Sequence, residues 1–350
     1  DMLLEKTVAE IVPLDQAAMD AAWRHWDSIA KPLRSLGKLE KAVVQMAGIQ
    51  GSSQVDIGKK ALLVLCADNG VVEEKVTQTG QEVTAQVAEN FLQEKATAGI
   101  LCRKTGADIF PVDIGIYRDT SIRNCKIAFG TKNMTKGPAM TREQAHQGLE
   151  TGIRLAEEKR REGYRILATG EMGIGNTTTS SAMASVFLGR PAEELTGRGA
   201  GLSSEGLSRK VHAIRKAIEV NQPDPEDPVD VLAKVGGFDI AGMAGVFLGG
   251  AALRMPVVID GFISCVAALT AMRICPLAAD YMMASHVSRE PAAELLLRSI
   301  GKEAFLTCDM CLGEGSGAVM LFPLLDMGLE VYNKMATFEE NEIETYVPLS

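Results

Sequence analysis

Two glutamates stand in glycine-rich settings where acids are uncommon. Glu171 heads the stretch GEMGIGNTTTSSA at 170–182. The apolar run YRILATG leads into it and the small, apolar SSAMASVFLG follows, so a strand ends, a glycine turn intervenes and a helix begins among hydroxyls. Gly173 and Gly175 let backbone N–H groups turn inward, while Asn176, Thr177 and Thr178 supply a cap and donors at the helix start. That combination suits an anion held on a helix dipole. The lysine of a P-loop is missing and the spacing is not G-x-G-x-x-G. A glycine turn before a helix also serves plain geometry.

Glu314 lies in CLGEGSGAVM at 311–320, between Gly313 and Gly315 and ahead of Ser316 and Gly317. Glutamate is a poor turn former, so its presence there asks for a reason beyond geometry. A carboxylate on a tight turn among small residues can project into a pocket and act as a base, its pKa raised by partial burial. The other reading is a solvated loop acid. Lys210, near the start of a helix in SSEGLSRKVHAIRKAI, can reach a phosphate as a point charge, though a lone lysine fixes nothing.

The elements that must position these groups follow from periodicity. MDAAWRHWDSIAKPL and GKLEKAVVQMAGIQ space their apolar residues at three and four and read as helices. After GSSQVDIGKK the pattern changes: ALLVLCADNG is a continuous apolar run ending in a polar turn, as expected of a parallel strand buried on both faces. ADIFPVDIGI, YRILATGEM and MPVVIDGF read as further strands, and AVMLFPLL as a strand or the beginning of a helix. QEVTAQVAENFLQEKATAGILCRKTG, TREQAHQGLETGIRLAEEKRREG and SRKVHAIRKAIEVNQ are helical between them. This alternation predicts a doubly wound α/β fold with a mostly parallel sheet. Ligands of such sheets sit outside the carboxyl ends of the strands, where the turns ADNG (67–70), GEMGIGN (170–176) and DGF (260–262) are expected to converge.

With 350 residues the chain can bury a sizeable core without disulfides or structural metal. The net charge of −9, with no basic stripe, argues against nucleic acid and for small-molecule ligands. Seven cysteines, an odd count scattered through apolar segments, read as reduced and mostly buried thiols of a cytoplasmic protein. Cys308 and Cys311 form one C-x-x-C, but no second pair and no histidine spacing accompanies it, so no metal is expected. The amino-terminal DMLLEKTVAEIVPLDQ carries acids where a signal segment would be apolar, and glycines, Arg254 and Pro256 break the longest apolar stretch, so no membrane span is expected.

Taken together, KPLRSLGKLE, CADNGVVEE, PAMTREQA, GEMGIGNTTT, NQPDPEDPVDVLAKVGGFDIAGMAGV, VIDGF and LGEGSGA resemble, in order, the nicotinate mononucleotide:dimethylbenzimidazole phosphoribosyltransferase family, from about residue 10 to about residue 335. The resemblance implies transfer of phosphoribose from nicotinate mononucleotide to a lower-ligand base, giving the α-ribazole phosphate of cobamides, without metal or cofactor and in a dimer. It also implies a small helical second domain from both termini, residues 1–55 plus 330–350, beside a catalytic domain of 56–329. By the same matching, Glu314 is the base and Glu171 stabilises charge at the ribose. Gly175, Asn176, Thr177 and Lys210 hold the phosphate, and Asp260 and Ser288 lie near the ribose and nicotinate. Asn69, Thr79, Gln86, Leu312 and Gly313 line the acceptor side.

Several positions depart from the family pattern. Asn69 stands where the family commonly has histidine, Thr79-Gly80 where it has serine-proline, and Gln86 is shifted. These departures keep phenol or p-cresol open as acceptor, and pairing with a paralogue open as an alternative to a homodimer. A transferase using phosphoribosyl pyrophosphate would need a paired-acid loop after a strand, which no segment supplies, and a dehydrogenase would need the dinucleotide fingerprint.

Overall fold

A computed structural model describes residues 2–348. The strands are β1 Lys60–Ala67, β2 Asp108–Gly115, β3 Arg123–Asn124, β4 Ile166–Met172, β5 Val257–Ile259 and β6 Met282–Ala284. They form one sheet in the order β3-β2-β1-β4-β5-β6, every pair parallel. Chain direction along the sheet reverses between β1 and β4, the place where an open parallel sheet leaves a crevice at its carboxyl edge.

The unbroken apolar run of β1 is explained by burial on both faces. Leu63, Leu65 and Ala67 join a core with the helices Arg142–Arg161, Asn176–Leu188, Phe238–Ala252 and Phe262–Ile274. Leu62, Val64 and Cys66 join a second core with the helices Gln16–Ser28, Lys38–Gln50, Glu82–Phe91, Thr97–Thr105 and Ser316–Lys334. A doubly wound sheet is the result.

AVMLFPLL is part of the helix Ser316–Lys334, so the strand reading of it is corrected and the helical one stands. The segment packs among the sheet, the helix Lys38–Gln50 and the helix Thr97–Thr105, so it is apolar most of the way round and periodicity alone does not separate the two states. The long pattern QEVTAQ…RKTG is two helices, Glu82–Phe91 and Thr97–Thr105, separated at Glu94, whose φ of 52° takes the chain out of the helix.

The segment after the helix Gln16–Ser28 meets the segment after the helix Ser316–Lys334, whereas the helix Met2–Glu10 packs on the helices Arg142–Arg161 and Phe238–Ala252. The Ala30 N–H donates to the Ala336 carbonyl and the Phe338 N–H to the Ser28 carbonyl, both at 2.9 Å. Trp26 packs edge-on against Tyr332 at 4.9 Å, and the Tyr332 hydroxyl donates to the Ser53 carbonyl. Among the described residues no helix is long and apolar enough to cross a membrane.

Candidate active site

A cavity of about 250 Å³ opens at the carboxyl ends of β4 and β5. Its walls come from the turn after β4 (Glu171, Gly173, Gly175, Asn176, Thr177), the turn after β5 (Asp260 to Ile263), the segment around Ser288, and Leu312 to Glu314. Two helices start at this wall without a side-chain cap. One is Asn176–Leu188, preceded by Gly175 at φ 95°, and the other is Phe262–Ile274, preceded by Gly261. Uncapped first turns leave backbone N–H groups and the positive end of the dipole for an anion.

Glu314 is held on a strained turn. Gly313, Glu314 and Gly315 have φ values of 92°, 64° and 86°, and only the glycines adopt that region without cost. Two contacts fix it. From the end of β5, Asp260 Oδ2 accepts the Gly315 N–H at 3.1 Å and Oδ1 accepts the Ala318 N–H at 3.0 Å. From β4, Gly170 lies so close that a Cβ there would sit 2.5 Å from the Glu314 carbonyl oxygen. Glu314 Oε1 accepts the Ala98 N–H at 3.3 Å, while burial raises the carboxyl pKa and this N–H pulls it the other way. A half-buried carboxylate facing a cavity with a raised pKa has the properties of a general base.

Glu171 lies against the same turn, its Oε1 so near Gly313 that a Cβ there would sit 2.6 Å away. It is 6 % exposed, and its Oε2 accepts from Asn176 Nδ2, which also donates to Asp239 Oδ2 at 3.0 Å. Burial, then the charges of Asp239 and Asp260, push the Glu171 carboxyl well above the usual range, against the Asn176 bond. Burial likewise raises Asp239 to about 7, against the Asn176 and Ile240 N–H groups, and Asp260 to about 7, against its backbone N–H partners.

At the far corner Lys210 is fully buried, its Nζ donating to Thr177 Oγ1 and to the Gly197 carbonyl, both at 2.9 Å. Burial lowers it to about 8, opposed by Glu290. Lys210 therefore stands behind Thr177 and outside the cavity wall. The Asn176 amide nitrogen is taken up by the two carboxylates and its backbone N–H donates to the Gly173 carbonyl at 3.0 Å.

Glu171, Gly175, Asn176, Thr177, Asp260, Ser288, Thr79, Leu312, Gly313 and Glu314 are brought together around one space. Gln86 is outside it, exposed on the helix Glu82–Phe91, where the next residue, Val87, takes the inward phase. Asn69 is fully buried behind the Gly175 turn, its Nδ2 donating to the Ile174 carbonyl at 3.3 Å. So of the three turns expected to converge, those after β4 and β5 line the cavity and the one after β1 buttresses it. Sequence reasoning did not reach Asp239, Arg198 or His286. The signal for Asp239 was an acid at the start of a helix, Phe238–Ala252, that is otherwise apolar. Arg198 and His286 line the cavity from irregular segments that carry no pattern.

All seven cysteines are free, and Cys308 and Cys311 are exposed instead of buried because they lie on the irregular segment leading to Leu312 at the cavity rim.

The model of a family described as phosphoribosyltransferase matches residues 11–343. A protein of Acetivibrio thermocellus named nicotinate-nucleotide–dimethylbenzimidazole phosphoribosyltransferase is 46 % identical over 349 residues, covering 99 % of each chain. One of the same name from Ruminiclostridium cellulolyticum is 46 % identical over 351 residues, covering 99 % of this chain and all of the other. The crystal structure of CobT from Thermus thermophilus superposes with a TM-score of 0.89 at 36 % identity, covering 94 % of this chain and 99 % of that one.

Proposed function

The chain belongs to the nicotinate-nucleotide–dimethylbenzimidazole phosphoribosyltransferase family, and from that premise we propose which of its residues carry out the transfer. The enzyme moves the 5-phosphoribosyl group of nicotinate mononucleotide onto a ring nitrogen of dimethylbenzimidazole, releasing nicotinate and giving the α-ribazole 5′-phosphate used for the lower ligand of cobalamin. Nicotinate leaves as a neutral pyridine from a pyridinium, so no acid is needed for departure. Two demands remain: a base for the incoming azole N–H and negative charge near the anomeric carbon, where the transition state has oxocarbenium character.

Glu314 is the base. The observation that carries this is its position on a left-handed turn at the cavity, with a pKa raised by burial. Glu171, against the Gly313 end of the same turn, supplies the negative charge. The phosphate sits at the start of the helix Asn176–Leu188, on Gly175, Asn176 and Thr177, with Lys210 acting through Thr177. Asp260 braces the Glu314 turn from beneath, Ser288 faces the ribose and nicotinate, and Thr79, Leu312 and Gly313 flank the acceptor. Because Asn69 is buried behind the Gly175 turn, its difference from the family pattern gives no support to a widened acceptor choice.

The test is Glu314→Gln, assayed for the riboside phosphate by mass. Turnover should fall by about 10²-fold or more, with donor binding nearly intact. Turnover near the wild-type rate would remove Glu314 from the base role. The family resemblance also supports a cytoplasmic dimer in which residues 1–55 and 330–350 form one unit, and light scattering of the purified chain reads the oligomeric state.

A further inference from the structure

Asn176 Nδ2 donates to two carboxylates at once, Glu171 Oε2 and Asp239 Oδ2. Two oxygens on one nitrogen lie within about 6 Å of each other. Both side chains are buried, Asp239 completely. The groups that weigh on them are also acids: Asp260 and Glu314 act on Glu171, and Asp68 acts on Asp239. From β1, Cys66, whose side chain joins the core on the other face of the sheet, has its thiol raised by burial and then by the charges of Asp113, Glu171 and Asp239. Asp113 of β2 has a counter-ion in Lys126 at 3.2 Å, whereas Lys210 is turned to Thr177 and Gly197. Arg198 and His286 line the same cavity, Arg198 with its guanidinium on the Leu202 carbonyl and Ser204, His286 with its pKa lowered by burial. Two buried carboxylates this close, with acids around them, do not both ionise at neutral pH.

The donor as a whole is an anion, through its phosphate and its nicotinate carboxylate, and the one cationic group it brings to this space is the pyridinium nitrogen bonded to the anomeric carbon. We infer that Asp239 is a positioning residue that, through Asn176, makes Glu171 one half of an acid pair holding one proton in the free enzyme and releasing it to solvent when the donor's pyridinium nitrogen is seated beside it. The step balances: singly protonated pair plus pyridinium gives ionised pair with bound pyridinium, and one proton goes to buffer. The pair then presents its full charge to the ribose only when a donor is there to be activated. Burial supports the same picture, since it raises both groups and puts Asp239 near 7. This inference rests on the reading of the cavity as the donor site.

Calorimetry at pH 7 in two buffers of different ionisation heat counts the protons released. The probes are nicotinate mononucleotide and ribose 5-phosphate, which carries the same phosphate, with its own pKa of about 6, and neither the pyridinium nor its carboxylate, a group already ionised at every pH used. Nicotinate mononucleotide should release more protons than ribose 5-phosphate, and that excess should fall by at least half in Asp239→Asn and in Glu171→Gln. In the wild type, affinity for nicotinate mononucleotide relative to ribose 5-phosphate should fall about tenfold from pH 6 to pH 5, the slope of one proton. Equal proton counts for the two probes, or a flat ratio across that range, would overturn the proton-holding pair while leaving the donor site intact. Absence of any binding by nicotinate mononucleotide would overturn the donor site and the pair together. Should Asp239→Asn fail to fold, Glu171→Gln and the wild-type pH series decide.

Discussion

Glu314 sits where an L-residue is strained, and its neighbours give it no ion pair in return. A non-glycine residue in the left-handed region costs roughly 1 kcal/mol or more relative to glycine, and burial of the carboxyl beside Asp260 adds to that cost. What opposes it is one N–H from Ala98 at 3.3 Å. A residue kept under such terms is kept for chemistry, and the two effects can be separated. Glu314→Gly should abolish measurable transfer while leaving the melting temperature equal to or above that of the wild type. A clearly lower melting temperature would show that the glutamate stabilises the turn, and the argument from strain would fail.

The elements place these residues by ending where they do. β4 stops at Met172 and β5 at Ile259, so Glu171 and Asp260 arrive side by side at the carboxyl edge, and the helix Ser316–Lys334 starts on the Asp260 carboxylate. Much of this was legible. The apolar runs of β1, β2, β4 and β5, and the glycine turns after two of them, are local signals. β6, Met282–Ala284, is three residues with no alternation to read, and AVMLFPLL hides a helix because both its faces are covered. Asp239 was not legible because its role comes from a neighbour 63 residues away in the chain, Asn176. Gly170 carries a further consequence of this arrangement. A methyl there would press on the Glu314 carbonyl at 2.5 Å and on the Gly315 nitrogen at 2.8 Å, both backbone atoms that cannot swing aside. Gly170→Ala should therefore lower kcat by about tenfold or more, on the scale of a base displaced by part of an ångström, with a smaller change in donor affinity. Wild-type kcat in that variant would mean that the turn moves freely against β4.

Over the whole molecule, the buried acids at the carboxyl edge set how stability depends on pH. Asp68 is raised by burial to about 6, and Asp239 and Asp260 to about 7, from an ordinary value of 3.8, and Glu171 is raised well above its own. A carboxyl whose folded pKa exceeds its unfolded one binds protons more readily when folded. Its contribution is present in full below the unfolded value and lost as pH rises through the folded one. Other groups act outside the upper part of that range. Lys210, lowered to about 8, changes its contribution mainly above that pH, whereas His146 and His286, lowered by burial, weigh against the acids as pH falls below 6.5. Glu74, Glu89, Glu158 and Asp227 have lowered values, so their support disappears only in stronger acid. The clean window is pH 6.5 to 7.5. There the ligand-free protein should melt higher as the pH is lowered, by about 2 °C or more across the unit. Asp260→Asn should flatten that slope, and saturating nicotinate mononucleotide, by favouring the ionised Glu171–Asp239 pair, should flatten it further. A melting temperature that rises with pH through this window would show that these carboxyls are ionised in the free enzyme and carry no linked proton.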